Sequence, residues 1–210
     1  MKTPEHPIFL ESVKYIRSQL GFTGLDKTHQ TILERVIHSS GDFSLHSCLR
    51  FSPGACDAAV NALQNGAKIL TDTYMAEAAI NPMAKRTLNT DIQCILSMAP
   101  ASIDTTLTTR SAVAMRNIWL DFEEKDNFLN PPLVVIGSSP TALMSLLDLV
   151  DDGYKIPSLI VGMPVGFIGV SESKNRLLNS DCPFILLEGS KGGASLAAAA
   201  TNALLRVADN

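Results

Sequence analysis

Arg35 and His38, three residues apart in the stretch Glu34-Arg-Val-Ile-His-Ser-Ser-Gly-Asp42, are the pair in this chain best suited to chemistry. On a helix that spacing sets both on one side. A permanent cation then stands beside the side chain whose charge changes near neutral pH. The stretch reads as a last helical turn closed by Gly41, where the helix dipole favours a protonated imidazole. Local spacing alone still favours the ordinary reading, a solvated or capping histidine at a helix end. Among the four histidines, His38 is nonetheless the best placed to handle a proton. His6 lies at the start of the chain, His29 on or near an apolar helix face, and His46 in a segment without clear pattern.

Other candidate groups are cations. Arg110 opens a helix after Thr108-Thr109, where its charge opposes the dipole, so it is expected to serve a ligand. Lys174 and Lys191 stand in Gly-rich stretches. The four cysteines, Cys48, Cys56, Cys94 and Cys182, form no C-x-x-C pair, and no histidine completes a zinc set. They read as scattered buried thiols of a reducing compartment. Gly21-Phe-Thr-Gly-Leu-Asp-Lys-Thr28 approaches a P-loop but has Asp26 where glycine belongs, and it follows a helix. No G-x-G-x-x-G follows a strand and no G-x-S-x-G occurs, so nicotinamide cofactors and serine hydrolysis lose support.

The elements that must position these groups follow from periodicity. Residues 7–20 form a helix that starts at Pro7 and ends at Gly21. Asp26 caps a second helix, carrying Ile32, Leu33, Val36 and Ile37, that ends at His38. Residues 43–51 are a loop or short strand, and Ser52-Pro53 opens a helix that Gly66 closes. Five short apolar runs follow, Lys68–Thr71, Ile92–Leu96, Leu133–Ile136, Ser158–Val161 and Phe184–Leu187. Each precedes a helical stretch: Tyr74–Ile80, Arg110–Leu120, Pro140–Val150, Ser171–Leu178 and the Ala-rich Gly193–Val207. This predicts an α/β fold, a doubly wound, mostly parallel sheet of about five strands with helices on both faces. The expected organisation is one domain over residues 1–210, mainly helical over 1–66 and alternating over 67–210. Phe122–Pro132 reads as a surface loop within it.

With 46% hydrophobic and 18% charged residues, the chain has enough apolar surface for a core. A net charge of −4 gives no general field for nucleic acid or an acidic membrane. The start lacks the apolar core of a signal peptide, and no apolar run spans a bilayer, so a soluble cytoplasmic protein is expected.

In open parallel sheets ligands lie beyond the carboxyl ends of the strands. The loops there contain Asp72, Ser97–Pro100, Gly137–Thr141, Gly162–Lys174 and Gly189–Ser195. The Gly137 loop reads first as an ordinary strand-to-helix turn and second as a helix N-terminus open to a carboxylate. The apolar, Gly-rich Gly162–Lys174 loop invites a large flat ligand or a partner chain.

Four motifs in order carry a resemblance: Arg35-x-Ile37-His38-x-x-Gly41; Gly137-x-x-Pro140-Thr141-Ala142-Leu143; Gly162-Met-Pro-Val-Gly-Phe-x-Gly-x-x-Glu-Ser-Lys174; and Lys191-Gly-Gly193 followed by Ala197-Ala-Ala-x-x-Asn202. They resemble the precorrin-8X methylmutase family and its cobalt-precorrin-8 counterparts, from about Pro7 to Leu204. The resemblance implies an isomerase of cobalamin biosynthesis that moves a methyl group from C11 to C12 of the corrin macrocycle. It implies no organic cofactor, and a homodimer with the active site near the interface. The family's key histidine falls on His38, a substrate-contacting arginine on Arg35, and a first-helix contact near Tyr15. Arg35, Arg110, Lys174 and helix N-termini would then anchor the carboxylates of a flat tetrapyrrole. The sequence departs from the family pattern at Ser138 and Ser139, at Ala194, and at Ala79, which bears on substrate preference. Rival readings are a non-catalytic tetrapyrrole carrier and an unrelated small-molecule-binding α/β domain.

Overall fold

The computed structural model describes residues 6–104, 106, 108–125 and 130–210. Helix α1 spans Pro7–Leu20. His6 caps it by accepting from the Ile8 N–H, and Gly21 closes it at φ +62°. Helix α2 spans Lys27–Ser40. The Asp26 carboxylate accepts from the His29 N–H at 2.9 Å, and Gly41 ends the helix in the left-handed region, its N–H on the Ile37 carbonyl. Both helices therefore begin and end where side-chain caps and positive-φ glycines dictate.

A 3-10 turn at Phe43–Ser47 leads into β1, Leu49–Phe51. Helix α3 (Ala55–Gln64), β2 (Ile69–Thr71), α4 (Tyr74–Arg86) and β3 (Ile92–Cys94) follow. Next come α5 (Arg110–Lys125), β4 (Leu133–Ile136), α6 (Pro140–Asp151), β5 (Leu159–Gly162), α7 (Val170–Leu178), β6 (Phe184–Leu187) and α8 (Ala194–Ala208). The expected loop over Phe122–Pro132 is helical as far as Lys125, and residues 126–129 lie outside the described ones.

The sheet has six strands in the order β1-β6-β5-β4-β2-β3. All neighbours are parallel except β1, which runs antiparallel to β6 with Arg50 opposite Leu186. The sixth strand is thus the uncertain 43–51 segment, recruited to an edge. The second apolar run is shorter as a strand than expected: after Cys94 the chain turns into a 3-10 segment, Ile95–Met98, which buries Ile95.

Alternate strand residues feed two cores. Leu133, Val135, Leu159, Val161, Ile185 and Leu187 face α2, α3, α4 and α8. Val134, Ile136, Ile160, Phe184 and Leu186 face α5, α6 and α7. This is the two-sided burial that continuous apolar strands require. Small residues Ala197, Ala198, Ala200 and Ala203 on α8 are buried, so α2 and α4 approach it closely. Each of Ile32, Leu33, Val36 and Ile37 on α2 is at most 1% exposed, worth about 1.5–3 kcal/mol apiece on burial.

Helix α4 continues beyond the expected Ile80 and through Pro82. Proline removes one intrahelical N–H and crowds the preceding turn. Across the interface, the Asn202 side chain of α8 donates to the Ala79 carbonyl at 3.1 Å in that turn. No helix among the described residues is long and apolar enough to cross a membrane.

Candidate functional site

The pair Arg35–His38 is set by how α1 lies on α2. Glu34 is 3% exposed and accepts a two-pronged bond from Arg17, Nε to Oε1 at 2.7 Å and Nη2 to Oε2 at 3.0 Å. Gln30 adds a third donor at 2.8 Å. The Glu34 carboxylate raises the Arg17 pKa still further, against the opposing effect of burial. This planar fork fixes register as well as distance. With Arg17 on Glu34, the antiparallel run of α1 carries Phe9 to the end of α2. There the Arg35 guanidinium carbon sits 3.5 Å from the Phe9 ring centroid. The His38 ring meets the same phenyl edge-on, with centroids 5.1 Å apart and planes at 78°. One aromatic therefore carries a stacked cation and an edge-on imidazole. His38 remains exposed in the last turn of α2.

The α2 end also reaches the carboxyl edge of the sheet. Lys191, in the loop after β6, donates to Asp42 Oδ2 at 2.6 Å and to Ser44 Oγ at 2.7 Å. The Lys191 ammonium, helped by Ser44, holds the Asp42 carboxyl down at about 2. Both partners lie just beyond Gly41, so the turn that follows His38 is tied to the strand-end loop.

That loop belongs to a shared rim. Gly166 donates its N–H to the Ser190 carbonyl at 3.1 Å, and Gly193 donates to the Met163 carbonyl at 2.9 Å. A Cβ on Gly192 would lie 2.1 Å from the Met163 carbonyl oxygen, and one on Gly137 would lie 2.6 Å from Ala194 Cα. Glycine here permits backbone-to-backbone contact among the loops after β4, β5 and β6. The middle loop exposes Phe167 and Ile168 to 91% and 90% and half-exposes Val165, the apolar surface its composition implied.

At the β2–β4 end the rim is closed internally. Asp72, 1% exposed, accepts from the N–H groups of Gly137 at 3.1 Å, Ser138 at 2.6 Å and Ser139 at 2.7 Å. Ser139 then caps α6 through the Ala142 N–H. The start of α6 is thus the ordinary turn; its donors serve the chain's own carboxylate. Hydroxyl pairs Thr109–Thr141 and Ser111–Ser139, each at 2.6 Å, stitch the first turns of α5 and α6 together.

The expected site residues are placed unequally. Arg35 and His38 share one ring. Arg110 is exposed in the first turn of α5, beside the hydroxyl stitch. Tyr15 is 61% exposed and meets Phe43 edge-on at 6.3 Å, so the α1 aromatic on the Arg35–His38 pair is Phe9. Lys174 corrects the sequence reading. It is 2% exposed, and its ammonium donates to the Gly189 and Lys191 carbonyls, each at 2.7 Å, facing inward where an anchor for substrate would face out. The sequence carried a signal for this: Val170, Lys174 and Leu177 stand at helical spacing on the buried face of α7. The Asp72 cradle and the Phe9 contact had no such local signal.

Fold and rim define a class, the doubly wound α/β proteins whose ligands lie over the strand ends. The model of the family described as precorrin-8X methylmutase matches residues 7–207. The cobalt-precorrin-8 methylmutase of Synechocystis sp. is 36% identical, covering 97% of this chain and 96% of its own. The precorrin-8X methylmutase of Pseudomonas aeruginosa is 38% identical over 94% and 93% of the two chains. A crystal structure of precorrin-8X methyl mutase from Thermus thermophilus superposes with a TM-score of 0.82 at 32% identity, covering 97% of this chain and 98% of that one. The chain belongs to the precorrin-8X methylmutase family.

Proposed function

We propose that this protein moves a methyl group from C11 to C12 of precorrin-8X or cobalt-precorrin-8, giving hydrogenobyrinate or cobyrinate, with His38 as the proton-handling residue. The observation that carries the reading is the packing of Arg35 and His38 on one Phe9 ring at the carboxyl edge. The migration is a formal 1,5-sigmatropic shift, which needs electron redistribution in the macrocycle and no group from outside. An imidazolium bonded to a ring nitrogen favours that redistribution. The guanidinium groups of Arg110, which is exposed, and Arg35, which is half-buried, suit the peripheral carboxylates. The apolar stretch Val165–Ile168 suits the flat ring face, and it suits equally a second copy of the chain in a cytoplasmic homodimer.

The test is incubation of the purified protein with precorrin-8, with and without cobalt in the ring, followed by the absorption spectrum. Catalytic conversion to a product that keeps its rearranged spectrum after denaturation supports the isomerase. A spectral shift that reverts to starting material on denaturation marks a carrier, and no shift at all removes corrin chemistry from this chain.

A further inference from the structure

Lys174 is a charged side chain that the proposed chemistry leaves unused, and it is buried in α7 with its ammonium bonded to two backbone carbonyls. Those carbonyls, of Gly189 and Lys191, flank Ser190, whose own carbonyl takes the Gly166 N–H. Three successive carbonyls of the loop after β6 are therefore pinned, two of them by one nitrogen. The side chain leaving that loop, Lys191, reaches Asp42 and Ser44 immediately beyond the helix that bears His38. A continuous path of bonds runs from the interior of α7, through the loop, to the turn after His38.

We propose that Lys174 is a positioning residue: by pinning the Gly189–Lys191 loop it fixes the Lys191–Asp42 tether and thereby the end of α2 that presents His38. This deepens the reading of His38 given above and rests on it. Burial lowers the Lys174 pKa from the ordinary 10.5 to about 8, with Cys48 opposing. The unfolded chain thus binds the proton more tightly than the folded one. The resulting stability is whole above 10.5 and is lost as pH falls through about 8. The two bonds hold the Gly189–Lys191 loop in place. The ammonium suits the task because it carries three donors on one compact atom, enough for two carbonyls that converge from different residues.

The test uses the full chain in the variants Lys174→Met, Lys191→Met and Lys174→Met/Lys191→Met, with precorrin-8 turnover and the His38 ring resonance followed in parallel by NMR. Lys174→Met keeps the volume of the buried stem. The expected result is a kcat lowered about 10-fold to 10²-fold with KM changed less than about threefold, and a displaced His38 resonance. Lys191→Met is expected to displace the same resonance, and the double variant to be no worse than the poorer single one, because both act along one path. A raised KM with unchanged kcat in Lys174→Met makes the lysine a substrate contact and overturns the proposal. So does a His38 resonance that stays at its original position in both single variants. If Lys174→Met does not fold, the exposed Lys191→Met decides by the same resonance. The resonance is independent of turnover. A fully active His38→Ala therefore sinks the catalytic reading alone, whereas an unmoved resonance sinks the positioning alone.

Discussion

The two ends of the carboxyl rim handle charge in opposite ways. At the β2–β4 end the Asp72 carboxylate turns inward and takes three backbone donors at the start of α6. At the β6 end the half-buried Arg35 and the exposed His38 lean on a single phenyl ring. Asp72 stands in the loop leaving a parallel strand and is satisfied within the chain, whereas Arg35 and His38 stand on a helix that precedes every strand and share one ring. A helix N-terminus is a ligand site only when the chain supplies no acceptor of its own. Here a carboxylate one strand away does so.

Three measurements sharpen or break that contrast. The largest effect is expected at the open end. His38→Ala should lower precorrin-8 turnover about 10²-fold to 10⁴-fold while leaving the dissociation constant for the tetrapyrrole nearly unchanged. Undiminished turnover would remove His38 from the chemistry. At the closed end the effect is on stability. Asp72→Ala leaves three backbone N–H groups without their acceptor and should cost about 2–4 kcal/mol in denaturant titration. An unshifted midpoint would return the start of α6 to the candidates for carboxylate binding.

The smallest effect concerns the tether between the loop after β6 and the turn after α2. Asp42, an exposed-edge carboxylate, has its pKa lowered from 3.8 to about 2, chiefly by Lys191 and then by Ser44. A lowered carboxylate pKa contributes stability that is whole above 3.8 and is lost as pH falls through about 2. Asp42→Asn should therefore melt slightly below the parent at neutral pH, the gap closing as pH falls toward about 2. A gap that does not narrow with acid would mean the tether carries no ionic component.

Much of the fold was legible because its punctuation is local. Pro7, Gly21, Asp26 and Gly41 bound α1 and α2 by their own backbone and capping chemistry, and the central strands announce themselves as apolar runs buried on both sides. β1 did not, since Leu49-Arg50-Phe51 has three residues with a charge in the middle and becomes a strand only by pairing with β6. The extension of α4 past Pro82 was hidden for a similar reason: the group bonding the turn before the proline, Asn202, comes from the far end of the sequence. In the site, Arg35 and His38 were legible from residue type and helix position. Phe9 was not, because its approach depends on the Arg17–Glu34 fork between two helices. Lys174 carried a readable helical spacing, but lysine is so seldom buried that its type argued against its position.

The strands at the two borders of the sheet, β1 and β3, are three residues long each. A strand that short gives an incoming chain almost no ladder to extend, and in β1 the central residue is an arginine besides. The sheet is therefore finite by construction: its borders offer a second copy little to pair with strand to strand, and the larger exposed apolar surface lies instead on the rim loop at Phe167 and Ile168.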